Sequence, residues 1–127
     1  QKGSEDIMNI LVVEDEAIIA EALILKLNSW DQHAVAAASI KEAAEKFMEQ
    51  HIDLVLLDIM LPDGFGYELI PQFREKQPNI NIITMTGHNT PELERTVRGF
   101  GITYYMAKPV NHDELKTIID HIASKQQ

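Results

Sequence analysis

Four short apolar runs in this chain each stop at residues able to do chemistry. Asn9-Ile10-Leu11-Val12-Val13 stops at Glu14-Asp15, Leu54-Val55-Leu56-Leu57 at Asp58, the run from Ile80 to Met85 at Thr86, and Thr103-Tyr104-Tyr105-Met106-Ala107 at Lys108. Together they supply three carboxylates, a hydroxyl and an ammonium. Carboxylates within a few ångströms of one another repel and raise each other's pKa unless a cation intervenes. An all-oxygen cluster of that kind suits a hard divalent ion such as Mg²⁺. Such an ion would neutralise both the cluster and an incoming phosphoryl group, and one carboxylate would then attack phosphorus to give an aspartyl phosphate. Lys108 would pair with one phosphoryl oxygen and Thr86 would donate a hydrogen bond to another, so that positioning and electrostatics carry the transfer. Taken singly, Asp58 also admits a reading as the cap of the following turn, and Lys108 reads as a solvated lysine ahead of Pro109. Four of five strands ending this way is a poor match to chance.

These residues meet only if the runs lie side by side. Leu54 to Leu57 is continuously apolar between turn signals, the pattern of a strand buried on both faces of a parallel sheet. Asp58 then stands at the carboxyl end of a central strand, the edge where open α/β sheets bind ligands. Between the strands come helical patterns. Ala17 to Asn28 carries a broad apolar face of Ile18, Ile19, Ala22, Leu23, Leu25 and Leu27. After a weak, alanine-rich strand at His33–Ala38, Ser39-Ile40-Lys41-Glu42 reads as a capping box opening a helix that buries Ile40, Ala43, Ala44, Phe47 and Met48. Tyr67 to Lys76 makes a third helix, with Pro71 requiring a late start or a bend. Thr90-Pro91 opens a fourth that stops at Gly99-Phe100-Gly101 and has only Leu93, Val97 and Phe100 as anchors. The last helix opens with Asn111-x-x-Glu114 and buries Leu115, Ile118, Ile119 and Ile122. Five strands alternating with five helices predict a doubly wound α/β domain with a parallel sheet covered on both faces.

The bulk numbers set bounds. A chain of 127 residues that is 45% hydrophobic is one domain with a substantial core. Eleven basic against twenty acidic side chains, a formal charge of -9 and no basic block disfavour direct nucleic-acid binding. The absence of cysteine excludes thiol chemistry and fits a reducing compartment. No run reaches the roughly 18 apolar residues of a membrane span, so the expected setting is cytoplasmic. Residues 1–7 are expected to be a tag or linker remnant, 8–124 the domain, and 125–127 a polar tail or the start of a linker.

From about Met8 to Ser124 the chain resembles the receiver domain of two-component response regulators. The ordered set that carries the resemblance is Glu14-Asp15 after the first strand, Asp58 followed by Pro62 and Gly66, Thr86-Gly87, and Tyr105 three residues before Lys108-Pro109. The resemblance implies flavodoxin-like strand order 2-1-3-4-5. It implies Asp58 as phosphoacceptor, Asp15 as a direct ligand of Mg²⁺ (or Mn²⁺), Glu14 as a ligand through water, and Met60 as a ligand through its backbone carbonyl. Thr86 and Tyr105 are the implied switch pair, with Tyr104 pointing the opposite way. The implied partners are a histidine kinase or histidine phosphotransfer protein and an output domain or downstream target, with homodimerisation on phosphorylation as an additional candidate. Such a domain catalyses its own phosphorylation without being a conventional turnover enzyme. Three departures stand out. Glu14 replaces the commoner Asp, Gly87 replaces the usual Ala, and Thr103-Tyr104 replaces the acidic pair of receivers that dimerise through a charged face. His88 borders the site as well.

Rival readings fare worse. An Asp-nucleophile phosphatase places a second Asp two residues on, where this chain has Met60. Glu14-Asp15-Glu16 would repel the phosphate of a flavin, Gly64-Phe65-Gly66 lacks the third glycine of a dinucleotide fingerprint, and five scattered histidines without cysteine do not make a zinc site. A pseudo-receiver that binds partners without phosphate is the remaining alternative, and intact Asp15, Asp58, Thr86 and Lys108 argue against it.

Overall fold

The computed structural model describes residues 7–126, so residues 1–6 of the expected 1–7 remnant and Gln127 lie outside the described residues. In chain order the elements are β1 (Asn9–Val13), α1 (Ala17–Ser29), β2 (His33–Ala37), α2 (Ile40–Glu49) and β3 (Leu54–Asp58). A hairpin of β4 (Met60–Leu61) and β5 (Gly64–Phe65) follows, then a 3₁₀ turn (Gly66–Leu69) and α3 (Ile70–Lys76). The chain finishes with β6 (Asn81–Thr86), α4 (Pro91–Arg98), β7 (Tyr104–Ala107) and α5 (His112–Lys125), the last reaching one residue into the expected tail. The five sheet strands are all parallel in the order β2-β1-β3-β6-β7, which is 2-1-3-4-5 once the two hairpin strands are left out of the numbering.

Pleating divides the core. Alternate residues of a strand face opposite sides, and Ile10, Val12, Leu54, Leu56, Ile83 and Met85 pack with Leu23 and Leu27 of α1 and Leu115 and Ile119 of α5. Their neighbours Leu11, Val13, Val55, Leu57 and Ile82 pack with Phe47 of α2 and Phe73 of α3, whose rings stack at 4.2 Å. Helix α4 is held by less: Val97 is buried with Ile59 and Tyr105, and Leu93 is only partly covered.

Several local expectations need correction. The apolar face of α1 is broader than the sheet can cover, so that Ala20, Leu23 and Leu27 are buried while Ile18 is 83% and Leu25 71% exposed. Met48, expected in the α2 stripe, is 57% exposed at the end of that helix. Of the two outcomes expected at Pro71 the late start is the one realised, because the 3₁₀ turn takes up residues 66–69 and leaves the proline in the first turn of α3, where no amide is needed. Both expected capping boxes close on one side only. Ser39 accepts from the Glu42 amide and Asn111 from the Glu114 amide. The Glu42 carboxylate instead accepts from Ala38, and that of Glu114 from the Tyr104 hydroxyl.

Candidate functional site

Glu14, Asp58 and Lys108 meet because each continues an inward-facing row at or one step past the end of its strand. Glu14 follows Ile10 and Val12, Asp58 follows Leu54 and Leu56, and Lys108 follows Met106, all on the α1/α5 side of the sheet. The Lys108 ammonium donates to Glu14 Oε1 at 2.5 Å and to Asp58 Oδ2 at 2.9 Å. Burial opposes the charge of Lys108, but the hydrogen bonds and negative charge of Glu14 and Asp58 outweigh it, and the net effect raises its pKa above the ordinary 10.5. Glu14 is 2% and Asp58 3% exposed, whereas Asp15, one step further along the loop, faces solvent. Each of the three carboxylates offers an oxygen within 4.8 Å of the others. One ammonium cannot neutralise three carboxylates at this spacing, and the all-oxygen donor set fits a hard divalent cation.

The loop after β3 wraps the same edge. The Met60 amide donates to Asp58 Oδ1 at 3.2 Å, and the Gly66 amide donates to the Ile59 carbonyl at 2.7 Å. A Cβ on Gly66 would lie 2.0 Å from the Asp58 carbonyl oxygen, so that position has room for glycine alone. Asp15, Glu16, Asp58, Met60, Gly87, His88 and Lys108 surround an open cleft of about 360 Å³. A larger apolar groove of about 500 Å³ opens beside it between α1 and α2, where the alanines of β2 leave room.

Thr86 and Tyr105 lie on the far side of the cleft. The Thr86 side chain is fully buried and its Oγ1 accepts from the His88 amide at 2.9 Å, which folds the β6–α4 loop back on the strand. Tyr105 is turned inward; its hydroxyl donates to Asn89 Oδ1 at 2.9 Å and its ring lies 5.4 Å from the Arg98 guanidinium. Burial, then the charge of Glu94, raises the pKa of this phenol above the ordinary 10.0 against a smaller opposing effect of Arg98. Tyr104 faces the other way and is 38% exposed. Glu14, Asp15, Asp58, Met60, Thr86 and Lys108 thus lie at or around one sheet edge, and the Tyr105 hydroxyl reaches Asn89 in the loop beside it. Asn89 and Arg98, the partners of Tyr105, were not singled out, because the hydrogen bond and ring contact they make form only when α4 folds across β7.

A five-stranded parallel sheet with a carboxylate cluster, a lysine and a threonine at its carboxyl edge defines the class. The response regulator receiver domain family matches residues 10–120, and the chain belongs to it, as a receiver domain of two-component systems. It is 33% identical over 124 residues to transcriptional regulatory protein CitT of Bacillus subtilis, covering 94% of this chain and 54% of CitT. It is 30% identical over 120 residues to the cell cycle response regulator CtrA of Brucella ovis, covering 94% of this chain and 52% of CtrA. The chain therefore spans about half the length of these curated relatives. Among solved structures it resembles a CheY-like receiver domain protein from Methanospirillum hungatei, with a TM-score of 0.88, 28% identity and coverage of 94% of this chain and 96% of that one. The non-phosphorylated HemR receiver domain of Leptospira biflexa matches with a TM-score of 0.84 and 26% identity, covering 92% of this chain and 94% of that one. Among the described residues no helix is long and apolar enough to cross a membrane.

Proposed function

We propose that this receiver domain accepts a phosphoryl group on Asp58 from a histidine kinase or histidine phosphotransfer protein, changes its α4–β7–α5 surface, and loses the group by hydrolysis. The observation that carries the reading is the Asp58 carboxylate at the end of the central strand, bonded to Lys108 and within ligand reach of Glu14 and Asp15. An Asp58 oxygen attacks phosphorus, the bond from phosphorus to the donor's imidazole nitrogen breaks, and that nitrogen keeps the electron pair. Hydrolysis later cleaves the acyl phosphate and returns the carboxylate and inorganic phosphate. Asp15 and Asp58 would hold Mg²⁺ or Mn²⁺ directly, Glu14 through water and Met60 through its carbonyl; when bound, the ion supplies charge neutralisation for the cluster and the phosphoryl oxygens. Lys108 would exchange one of its carboxylate partners for a phosphoryl oxygen. Thr86, whose Oγ1 accepts from the His88 amide, would donate its hydroxyl hydrogen to another.

Moving a switch from about 1:99 to 99:1 takes roughly 5.5 kcal/mol of differential stabilisation. Two or three charge-assisted hydrogen bonds at about 1.5–3 kcal/mol each reach that figure. The element that answers is α4, whose thin anchorage on Leu93, Val97 and Phe100 makes it the easiest to shift. Exposed Ile18, with Ile19, Pro109 and Val110, borders a groove that includes Lys108, and this is the apolar surface that a phosphodonor protein would cover. What the receiver drives is an output domain or a downstream target protein.

Intact-mass measurement after incubation with acetyl phosphate and Mg²⁺ tests the site. One labile phosphoryl adduct is expected, absent from Asp58→Asn. Equal modification of the variant refutes the assignment of Asp58. No adduct on either protein, under conditions that label a known receiver, favours a phosphate-independent binding module. Amide exchange with and without beryllofluoride should change within residues 86–110, and an unchanged pattern there refutes the proposed readout surface.

A further inference from the structure

Asp63 sits in the turn of the β4–β5 hairpin, yet its side chain serves another element. One carboxylate oxygen accepts from the Ile40 amide at 2.9 Å and the other from the Lys41 amide at 3.2 Å. Both are first-turn amides of α2, which have no partner within the helix. Ser39 already provides the local cap by accepting from Glu42. A carboxylate 23 residues away from Ile40 in sequence therefore adds a second, long-range cap to the same helix end.

The hairpin that carries Asp63 also carries Met60. Its far end is pinned where Gly66 meets the backbone of Asp58 and Ile59. Met60 pairs with Phe65 across the hairpin, but its own side chain is 46% exposed, so packing of that side chain does little to fix its carbonyl. Gly64 touches α2 closely enough that a Cβ there would lie 3.0 Å from Ile40 Cδ1. The hairpin is thus stretched between two anchors, the Asp58 backbone at one end and the start of α2 at the other, with Met60 between them.

Resting on the reading that a divalent cation binds Glu14, Asp15, Asp58 and the Met60 carbonyl, we propose that Asp63 is a positioning residue of that metal site. By fastening the hairpin to the N-terminus of α2, Asp63 holds the Met60 carbonyl in place beside the carboxylates. The coupling is reciprocal by linkage, so metal binding tightens the cap on α2 in return. Groups that orient a metal's ligands without touching it typically contribute a factor of about 10–100 to its affinity.

The test is Mg²⁺ binding itself, followed by calorimetry and by amide shifts, on the wild type and on Asp63→Ala, Asp63→Asn and Ser39→Ala. Asp63→Ala should weaken Mg²⁺ about tenfold, and Asp63→Asn, which keeps one acceptor oxygen, by less. At saturating Mg²⁺ the Asp63→Ala protein should still form the Asp58 adduct. Ser39→Ala removes the local cap of the same helix and leaves the hairpin alone; it should lower the melting midpoint without changing Mg²⁺ affinity. In the wild type, Mg²⁺ should slow hydrogen exchange at Ile40 and Lys41. An Asp63→Ala protein that binds Mg²⁺ as tightly as the wild type overturns the proposal, as does a Ser39→Ala protein weakened equally, which would make helix stability the cause. If Asp63→Ala fails to fold, the near-isosteric Asp63→Asn decides the question by the same comparison. A wild type that binds no Mg²⁺ overturns the underlying reading of the site and this inference with it.

Discussion

Thr84 is fully buried in β6, in register with Leu57 on one side and Tyr105 on the other, and its hydroxyl has no hydrogen-bond partner among the described residues. In the unfolded chain that hydroxyl is hydrated, and folding buries it without a bond from any described residue. Leaving a buried hydroxyl unsatisfied costs about 1–3 kcal/mol. Thr84→Val replaces the oxygen by a methyl of nearly the same shape, keeps the β-branch that suits a strand, and creates neither cavity nor clash. We expect it to stabilise the domain by about 1–2 kcal/mol, the lower part of that range. In a chain of 127 residues an unfolding entropy of about 2.1 cal/mol/K per residue makes each kcal/mol worth ~4 °C at the midpoint. Thr84→Val should therefore melt ~4–8 °C higher by calorimetry, with a matching rise in urea midpoint and an unchanged m-value. An unchanged or lower midpoint would refute the reasoning, because it would mean that the hydroxyl has a partner of its own.

Three further outcomes test other parts of the molecule. Mg²⁺ at one hundred times its dissociation constant should stabilise the wild type by about 2.7 kcal/mol, chelation should reverse this, and Asp15→Ala should show no shift; an equal shift in the variant places the ion elsewhere. Lys76 donates to the carbonyls of Phe47, Met48 and Gln50 at the end of α2 and lies 5.1 Å over the Phe47 ring. Lys76→Met, which keeps the apolar stem, should cost about 1–2 kcal/mol in urea titration, and a loss of nothing would show that solvent serves those carbonyls equally well. Asp63 has its carboxyl held below the ordinary 3.8 by the Ile40 amide, against desolvation and with further help from the Lys41 amide. A depressed carboxyl contributes stability above its unfolded pKa and loses it as pH falls through the folded one. The melting curves of wild type and Asp63→Asn should accordingly differ near neutrality and converge below about pH 4, and a gap that widened on acidification would contradict the cap.

Much of the site was legible because its signals are local. Strand-ending acids, a strand-ending threonine and a lysine before proline can be read one run at a time, and parallel pairing brings their ends to one edge. The helix faces were less legible, since periodicity marks which residues are apolar but not how much of a helix the sheet can cover. Ile18 and Leu25 of α1 show the limit, for both are apolar at helical spacing and both face outward. The capping boxes show another: Glu42 and Glu114 stand at the right spacing, and nearby donors, the Ala38 amide and the Tyr104 hydroxyl, claim them instead.

The order of residues by itself determined the alternation of five strands and five helices, the need for α3 to start late or bend at Pro71, and the identity of the groups at the carboxyl edge. Each depends on interactions a few residues long, which composition and spacing record directly. Only the tertiary structure decided which partners those groups have. Lys108 reaches Glu14 across 94 positions and Asp58 across 50, Arg74 ties α3 to the carbonyls of Phe100 and Gly101 beyond α4, and Asp63 leaves its own turn to cap α2. Contacts of that range leave no periodic trace, because a hydrogen bond is set by where two elements come to rest against the core and not by the distance between them along the chain.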